Sequence, residues 1–573
     1  MENLAIARVL DEIADLLEIK GANPFKIRAY RNAATAVATS GERVAGLTDA
    51  QVRAIPGIGK DLSARIREIA ETGDSPYHQE LLQEFPPTIL DLLRLQGVGP
   101  KTVALLYSTL QIRTLDELEA AARAGRLSAI KGMGRKKAEL ILKSIEEQKR
   151  RIGRHLMPDA HDVATAVIAH LREGEPGATI EFVGSLRRGC DTCGDLDILA
   201  TGASGAIMDA FTGYGLVERV LGRGDTKSSV LLRGGLQADL RLVPQESRGA
   251  ALQYFTGSKA HNIALRDRAI RRGFKLNEYG LFEVATGGRV AGETEEGVYQ
   301  ALGLAFIPPE LREDRGEIAA AAAGTLPRLV ARADLRGDVH THTTATDGRD
   351  DLDTMALAAR AAGLDYIVVT DHSKALAMAN GLDERRALEH AARIRALGAR
   401  LEGITLLAGI ECDILQDGTL DLDESCLAEL DYVVASVHSR FGMEEAAMTD
   451  RLLRAIASPV VDAIGHPTGR RILTRVPYRV DLERVVDAAV AAGVALEINC
   501  QVDRLDLSDI NARMVKERGG RLVIGSDAHS RGAFGLLRWG VIVARRAGLE
   551  PADVLNTRPL AEFRASLRRN RRP

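Results

Sequence analysis

Gly184-Ser185-Leu186-Arg187-Arg188-Gly189 and, ten residues after its serine, Asp195-Leu196-Asp197-Ile198-Leu199-Ala200 set the reading of this chain. In the second segment charged and apolar residues alternate, so a strand puts Asp195 and Asp197 on one sheet face and Leu196 and Ile198 on the other. Thr179 to Gly184 reads as a strand running into the Gly-Ser turn, and Gln237 to Val243 alternates likewise, bringing Asp239 and Arg241 to one face. Two carboxylates at i and i+2, with a third on a neighbouring strand, make an all-oxygen site suited to hexacoordinate Mg2+ held partly by substrate phosphates. Two such ions, about 3.5–4 Å apart, clamp the attacking and leaving oxygens of an in-line phosphoryl displacement. The backbone and guanidinium groups of the Gly184 to Gly189 loop can hold a triphosphate. A lone Asp-x-Asp is more often an ordinary polar strand; the loop upstream and the third aspartate turn it into a site.

The chain has 573 residues, 45% hydrophobic and 27% charged, which is length for roughly three to five domains. No apolar run approaches the ~18 residues of a membrane span. Ile6, Val9, Leu10, Ile13, Leu16 and Leu17 recur as in an amphipathic helix rather than a signal peptide, so a cytoplasmic protein without membrane contact is expected. Five scattered cysteines form no disulfide framework. A net charge of −3 excludes wholesale coating of nucleic acid, so any such contact is local.

One pattern recurs in the first 150 residues at spacings of 40 and 35: Ile55-Pro56-Gly57-Ile58-Gly59-Lys60, Leu95-Gln96-Gly97-Val98-Gly99-Pro100-Lys101 and Ile130-Lys131-Gly132-Met133-Gly134-Arg135-Lys136. Each copy is an apolar-Gly-apolar-Gly turn, then a basic residue and an amphipathic helix such as Lys137 to Gln148. Glycines permit the turn to aim backbone N–H groups and a helix start at a phosphate. This is a helix-hairpin-helix reading, and its contact is to DNA backbone, without sequence readout.

Seven of the twelve histidines follow residue 335. There the chain reads as seven strand-then-helix units, with strands near Leu335 to Val339, Tyr366 to Thr370, Thr405 to Glu411, Tyr432 to Val437, Val461 to Gly465, Val494 to Asn499 and Arg521 to Gly525. That alternation implies parallel pairing and a closed or nearly closed barrel. His340, His342, His372, Glu411, His438, His466, Asp527 and His529 fall at strand ends, with Asp347 in the first long loop. Mixed imidazole and carboxylate ligation suits Zn2+, Mn2+ or Fe2+. Nine ligands exceed what one ion uses, so two or three Zn2+ or Mn2+ ions are expected, and ions of this kind lower the pKa of water toward about 7 for attack on a phosphoester.

Gly184-Ser185 through Asp197, Ala238-Asp239-Leu240-Arg241 and Tyr254-Phe255-Thr256-Gly257-Ser258 resemble the palm and thumb motifs of family X DNA polymerases, the group that includes polymerase beta. The resemblance spans roughly residues 1 to 315. It implies that Asp195 and Asp197 bind both metals, Mg2+ or Mn2+, and that Asp239 binds the catalytic metal and helps deprotonate the primer 3′-hydroxyl. It implies that Ser185, Arg188 and the backbone near Gly184 and Gly189 hold the incoming deoxynucleoside triphosphate. Tyr254, Phe255 and Gly257 would pack against its sugar, Asn262 would meet its base in the minor groove, and Arg266 would approach the template. Where polymerase beta has an aspartate, Lys259 stands here, which implies tight nucleotide binding before DNA. Asn23 to Ala34 resembles the 5′-phosphate-binding helix of that family, with Lys26 and Tyr30 at matching positions. Its Schiff-base lysine aligns with Arg65, and a guanidinium is no amine nucleophile; the expectation is 5′-phosphate binding with weak or absent lyase chemistry. Asp338-Val339-His340-Thr341-His342, Thr370-Asp371-His372-Ser373, Gly465-His466-Pro467 and Asp527-Ala528-His529 resemble the polymerase and histidinol phosphatase (PHP) domain with its ligand positions filled.

The expected fold is multidomain α and α/β: an N-terminal helical DNA-binding domain (1–85), helix-hairpin-helix fingers (86–150), a nucleotidyltransferase palm with a mixed sheet (151–243), a thumb (244–317), a helical linker that marks the main boundary (318–334) and a (βα)7 PHP barrel (335–573). The expected function is filling of short DNA gaps in repair by a monomer acting on gapped or primer–template DNA. The resemblance adds a Mn2+-dependent 3′-5′ exonuclease, with abasic-site endonuclease or 3′-phosphatase activity in some members. The rivals are a nucleotidyltransferase for a non-DNA substrate fused to a small-molecule phosphatase, and a non-catalytic repair scaffold. Cys190 and Cys193 read as filler rather than a zinc pair, and His390 as structural. Arg470 reads as a phosphate contact or a salt bridge, and Arg568 to Arg572 as a solvated tail.

Overall fold

The computed structural model describes residues 3–38, 44–55, 57–86, 88–93, 95, 98–130, 133–134, 137–142, 144–145 and 153–567. They form two compact units, divided between residues 152 and 153.

The first unit is helical. Helix α1 (Asn3–Ile19) buries Ile6, Leu10, Ile13, Leu16 and Leu17 as its 3.6-residue period requires, and packs on α2 (Pro24–Ala38). The repeated turns share one geometry. Ile58, Val98 and Met133 are buried, and their N–H groups donate to the carbonyls of Ile55, Leu95 and Ile130 at 3.1, 3.1 and 3.0 Å. Gly59, Gly99 and Gly134 then start helices, accepting from Ser63, Val103 and Ala138. The first two of these helices are α3 (Lys60–Thr72) and α4 (Pro100–Leu110), and the third runs over 137–142. Gly57 has φ +86°, the left-handed conformation the turn demands. Gly97, Gly132 and the basic tail from Arg568 lie outside the described residues.

The second unit opens with α5 (Met157–Gly174) against a five-stranded sheet of β1 (Thr179–Phe182), β2 (Asp195–Thr201), β3 (Val217–Arg223), β4 (Lys227–Leu232) and β5 (Gln237–Val243), in the order β1-β2-β5-β4-β3. Only β2 and β5 pair in parallel, so the sheet is mixed, and their register sets Asp197 opposite Asp239. Four further helices follow: α6 (Arg248–Thr256), α7 (Lys259–Arg271), α8 (Glu295–Ala301) and α9 (Glu317–Ala323), with a three-stranded antiparallel sheet between α7 and α8.

Only the first half of the expected helical linker is helical. Gly324, at φ +69°, ends α9, and the chain beyond it docks on the barrel, with Val330 buried and its N–H donating to Leu549 O at 2.9 Å. Nor is it the main boundary. The apolar core of α5 runs on into that of the barrel, where His161 meets Trp539 edge-on at 5.3 Å, so sheet and barrel lie in one compact unit.

The barrel strands are β6 (Gly337–Asp338), β7 (Tyr366–Val369), β8 (Thr405–Asp413), β9 (Tyr432–Ser436), β10 (Ala463–Ile464), β11 (Ala495–Asn499) and β12 (Leu522–Gly525), all parallel and adjacent in chain order. Each is followed by a helix, among them α10 (Glu384–Gly398) after β7 and α11 (Leu537–Arg546) after β12. A bridge from Thr341 to Ala528 brings the last strand back to the first. Phe563 stacks on Tyr366 at 5.1 Å and, with Leu555 and Leu567, fills the interior near the strand starts, leaving the carboxyl-terminal rim for polar side chains.

Candidate active sites

In the mixed sheet, Asp195 is exposed, Asp197 half-buried and Asp239 buried, all at the parallel β2–β5 seam. Burial, and then the charges of Asp195 and Asp239, push the Asp197 carboxyl up to about 6. Burial also acts to raise Asp239, but Lys227, Gln237 and Ser229 hold it below its ordinary value. Lys227 Nζ lies 2.8 Å from Asp239 Oδ2, and Gln237 Nε2 donates to Oδ1 at 3.0 Å. Lys227 was not foreseen from the sequence, because its contact depends on how β4 pairs with β5. Crowded carboxylates of this kind fit a divalent cation, which Asp195, Asp197 and Asp239 would hold.

The Gly184 to Gly189 loop begins against Asp197 of this trio. Gly184 has φ +66°, and a Cβ there would overlap the Asp197 carboxylate. Arg188 Nη1 donates to Thr256 O at 2.6 Å, beside Gly257, so loop and α6 meet. Asn262 spans the same corner, donating to Tyr254 O and accepting from Gln253, both at 2.7 Å. Phe255 lies under the Arg241 guanidinium at 4.6 Å. Ser185 is half-buried and Gly189 buried, while Lys259 and Arg266 are exposed along α7. Cys190 and Cys193 are free thiols, and burial raises Cys193 to about 11, as filler residues should be.

In the first unit, Lys26 donates to the Tyr77 hydroxyl at 2.7 Å, Tyr30 stacks on Tyr77 at 6.2 Å between centroids, and the Arg65 guanidinium lies 5.3 Å from the Tyr77 ring. Lys26, Tyr30 and Arg65 thus come together around Tyr77, a partner that sequence reasoning missed. Tyr30 is largely buried, whereas Gly57, Lys60 and Lys101 are exposed at their helix starts.

The barrel brings all nine of its candidate ligands together. Buried Glu411, near the end of β8, is the hub. Its Oε2 lies 2.9 Å from His372 Nδ1, 3.4 Å from His340 Nε2 and 3.6 Å from His342 Nε2, and its Oε1 lies 3.0 Å from His466 Nε2 and 3.2 Å from His438 Nε2. Asp527 lies 3.2 Å from His342 Nε2, and Asp347 lies 3.4 Å from both His372 Nε2 and His529 Nε2. Three overlapping groups can each hold a cation: His340, His342 and Asp527; His372, Glu411 and His438; His342, Asp347, His372 and His529. His340 Nε2, both nitrogens of His342 and His372 Nδ1 are buried without a well-formed hydrogen bond, as metal donors would be; His466 faces Glu411 through Nε2 and falls in none of the three groups.

A second layer, not foreseen from the sequence, orients these rings. His340 Nδ1 donates to Glu497 at 2.7 Å and His438 Nδ1 to Asp413 at 2.5 Å, which turns each Nε2 inward. His390, expected to be structural, donates to Asp371 at 2.8 Å; Asp371 in turn accepts from Thr343 and Thr346 in the loop that carries Asp347. Burial opposes charge on His372 and His438, but Glu411 first, then Asp347 and Asp413 respectively, carry them up to about 10 and about 9. Burial takes His342 down to about 4 and His466 to about 3. Burial would raise Glu411, yet the surrounding histidines hold it well below the carboxylate range. Arg470 is a salt bridge, 3.1 Å from Asp191 of the mixed-sheet domain.

An acidic trio under a Gly-Ser-x-Arg-Arg-Gly loop defines a nucleotidyltransferase, and an imidazole-rich barrel rim a metal-dependent phosphoesterase. The chain matches the DNA polymerase beta palm (residues 151–237) and thumb (251–313), a helix-hairpin-helix domain (1–75), a SAM-like helix-hairpin-helix tandem (89–147) and the PHP domain (338–501). It is 36% identical, over all 573 residues and the whole of both chains, to the DNA polymerase/3′-5′ exonuclease PolX of Bacillus subtilis (strain 168). A probable phosphatase of Thermoanaerobacter sp. (strain X514) is 33% identical over 231 residues, 38% of this chain and 89% of that protein. The corresponding figures for one of Shewanella sp. (strain MR-4) are 32%, 235 residues, 39% and 88%. The chain belongs to the family X DNA polymerases that carry a PHP domain.

Proposed function

We propose that this chain fills short gaps in DNA during repair and trims 3′ ends from a second, separate site. As a family X polymerase with a PHP domain it is a DNA polymerase and 3′-5′ exonuclease. The observation that supports two centres is that the two candidate sets gather in separate scaffolds, the carboxylates at the β2–β5 seam and the imidazoles around Glu411.

In the palm, Asp195, Asp197 and Asp239 would hold Mg2+, or Mn2+ in its place. Bound there, the cations activate the attacking oxygen and neutralise the leaving phosphates. The chain's own groups do the rest. Ser185, Arg188 and the N–H groups near Gly184 bind the triphosphate; Gly189, expected to join them, instead donates its N–H to Leu186 O at 2.9 Å. Tyr254, Phe255 and Gly257 shape the sugar pocket, Asn262 faces the base, Arg266 faces the template, and Asp239 accepts the 3′-hydroxyl proton. Lys259, exposed on the first turn of α7, adds attraction for the nucleotide before DNA arrives; a Lys259→Ala variant should bind nucleotide more weakly. In the barrel, two or three Zn2+ or Mn2+ ions would be held by the nine ligands, while Glu497 and Asp413 fix ring orientation. Lys26, Lys60, Lys101 and the N–H groups near Gly57, Gly59, Gly97, Gly99, Gly132 and Gly134 contact DNA backbone, while Tyr30, largely buried, supports the Tyr77 ring beside Lys26.

Five unpaired cysteines accord with a reducing, cytoplasmic setting, in which the protein acts as a monomer. No helix among the described residues is long and apolar enough to cross a membrane. The two rival readings, a non-DNA nucleotidyltransferase with a small-molecule phosphatase and a non-catalytic scaffold, are set aside by family membership along the full chain. The test is a pair of variants on gapped and single-stranded DNA. Asp195→Ala with Asp197→Ala should abolish synthesis and spare hydrolysis, and His340→Ala should do the reverse. Loss of both activities from either change in a folded protein would overturn the division.

A further inference from the structure

The two consecutive arginines of the triphosphate loop are each held in an Arg-Glu-Arg arrangement, and different domains complete the two. Arg187 meets Glu295 of α8 through two nitrogens, at 2.9 and 2.6 Å, and Glu295 Oε1 also takes Arg312 Nη1 at 2.6 Å. Those partners belong to the thumb. Arg188 Nε donates to Glu313 Oε1 at 3.0 Å, and the same oxygen accepts Nη1 of Arg546, also at 3.0 Å. Arg546 is the last residue of α11, in the PHP barrel.

Arg546 is only 8% exposed and makes two further contacts. Its Nη1 donates to the carbonyl oxygen of Arg188 at 2.7 Å, and its Nη2 to Asp509 at 3.1 Å. It therefore grips Arg188 by the main chain directly and by the side chain through Glu313. The next residue, Gly189, lies so close to Ile542 of α11 that a Cβ would overlap it, and Asp191 is held by Arg470. The loop thus rests on the barrel at three successive points.

This frame leaves a particular edge of Arg188 open. Nε is committed to Glu313 and Nη1 to Thr256 O, whereas Nη2 has only the soft Cys190 Sγ contact at 3.8 Å. A guanidinium tied at two nitrogens cannot swing away, and its remaining N–H groups are preorganised for an anionic oxygen. We infer that Arg546 of the barrel is a positioning residue of the polymerase nucleotide site, holding Arg188 in its triphosphate-binding pose. The inference rests on the assignment of Arg188 to the triphosphate.

Removing Arg546 leaves no acid stranded, since Glu313 keeps Arg188 and Asp509 keeps Arg315 at 3.0 Å. Full-length Arg546→Met should raise KM for deoxynucleoside triphosphate on gapped DNA about tenfold, with kcat changed by less than about twofold. Arg546→Lys should recover part of the loss. Exonuclease activity on single-stranded DNA, assayed with Mn2+ on the same preparations, should not change. Arg188→Ala should itself raise KM, and adding Arg546→Met to it should raise KM no further. An unchanged KM in Arg546→Met while Arg188→Ala raises it would overturn the inference and leave the Arg188 assignment standing. An unchanged KM in Arg188→Ala would overturn that assignment and the inference with it. Additive effects in the double variant, or joint loss of synthesis and hydrolysis in Arg546→Met, would show a structural role instead.

Discussion

Asp197 and Asp239 are register partners, yet one carboxyl is lifted to about 6 and the other held below its usual range. The difference is Lys227, which reaches Asp239 at 2.8 Å. Below pH 6 a proton on Asp197 removes a negative ligand; above it the group is ionised and available. Synthesis at limiting Mg2+ should therefore fall about tenfold per pH unit below about 6 and level off above it, as primer extension between pH 5 and 8 would show. In the barrel the sign is the same but the window lies higher, because the carboxylates around His372 and His438 lift them to about 10 and about 9, so a cation must displace their protons at neutral pH. Metal uptake should release protons, read by calorimetry in buffers of different ionisation enthalpy, and affinity should rise with pH up to about 10. Glu497→Gln, which weakens the hold on His340, should lower exonuclease activity or metal affinity by about 10–100-fold and leave synthesis intact. At Arg65 a permanent guanidinium stands beside Tyr30 and Tyr77, so borohydride should trap little or no covalent complex with a 5′-deoxyribose phosphate end.

The three helix-hairpin-helix turns are the clearest case of an element whose sequence and geometry coincide. An apolar residue between two glycines buries itself, its N–H closes the turn, and the second glycine starts a helix with no side-chain cap at Gly59 or Gly99. The N–H groups of such a first turn can donate to a phosphate. Lys60→Ala with Lys101→Ala should weaken binding to DNA of any sequence and reduce the slope of log affinity against log salt by about 2, measured by fluorescence anisotropy. The palm loop is read with equal clarity at Gly184 but not at its arginines. Two adjacent guanidinium groups announce anion binding; that Arg187 is spent on Glu295 inside the protein, while Arg188 keeps one edge open, depends on what the thumb and barrel place beside them.

Across the whole molecule, palm and barrel share one apolar core, and the sole tryptophan, Trp539, lies where they meet. Its emission should shift in the same denaturant transition that abolishes both activities, since the interface cannot open while the common core stays packed. A red shift that precedes loss of either activity would show that the two domains part before they unfold. The same continuity explains why the alanine-rich segment before the barrel looked like a linker: its composition is helical and loop-like, but Val330 found an apolar wall to cover.

By itself the sequence determined what local chemistry dictates: the alternating strands that align Asp195 with Asp197, the repeated glycine turns, the seven parallel strands and the metal-type ligands, eight at strand ends and Asp347 in the first long loop. Periodicity and strand-end position follow from backbone geometry alone, so they are written into neighbouring residues. Lys227, Glu497, Asp413, Tyr77 and Arg546 carry no such mark. Their roles arise because strand pairing, barrel closure and domain packing bring together groups tens or hundreds of residues apart, and the charge, tautomer or pose each imposes exists only at that distance.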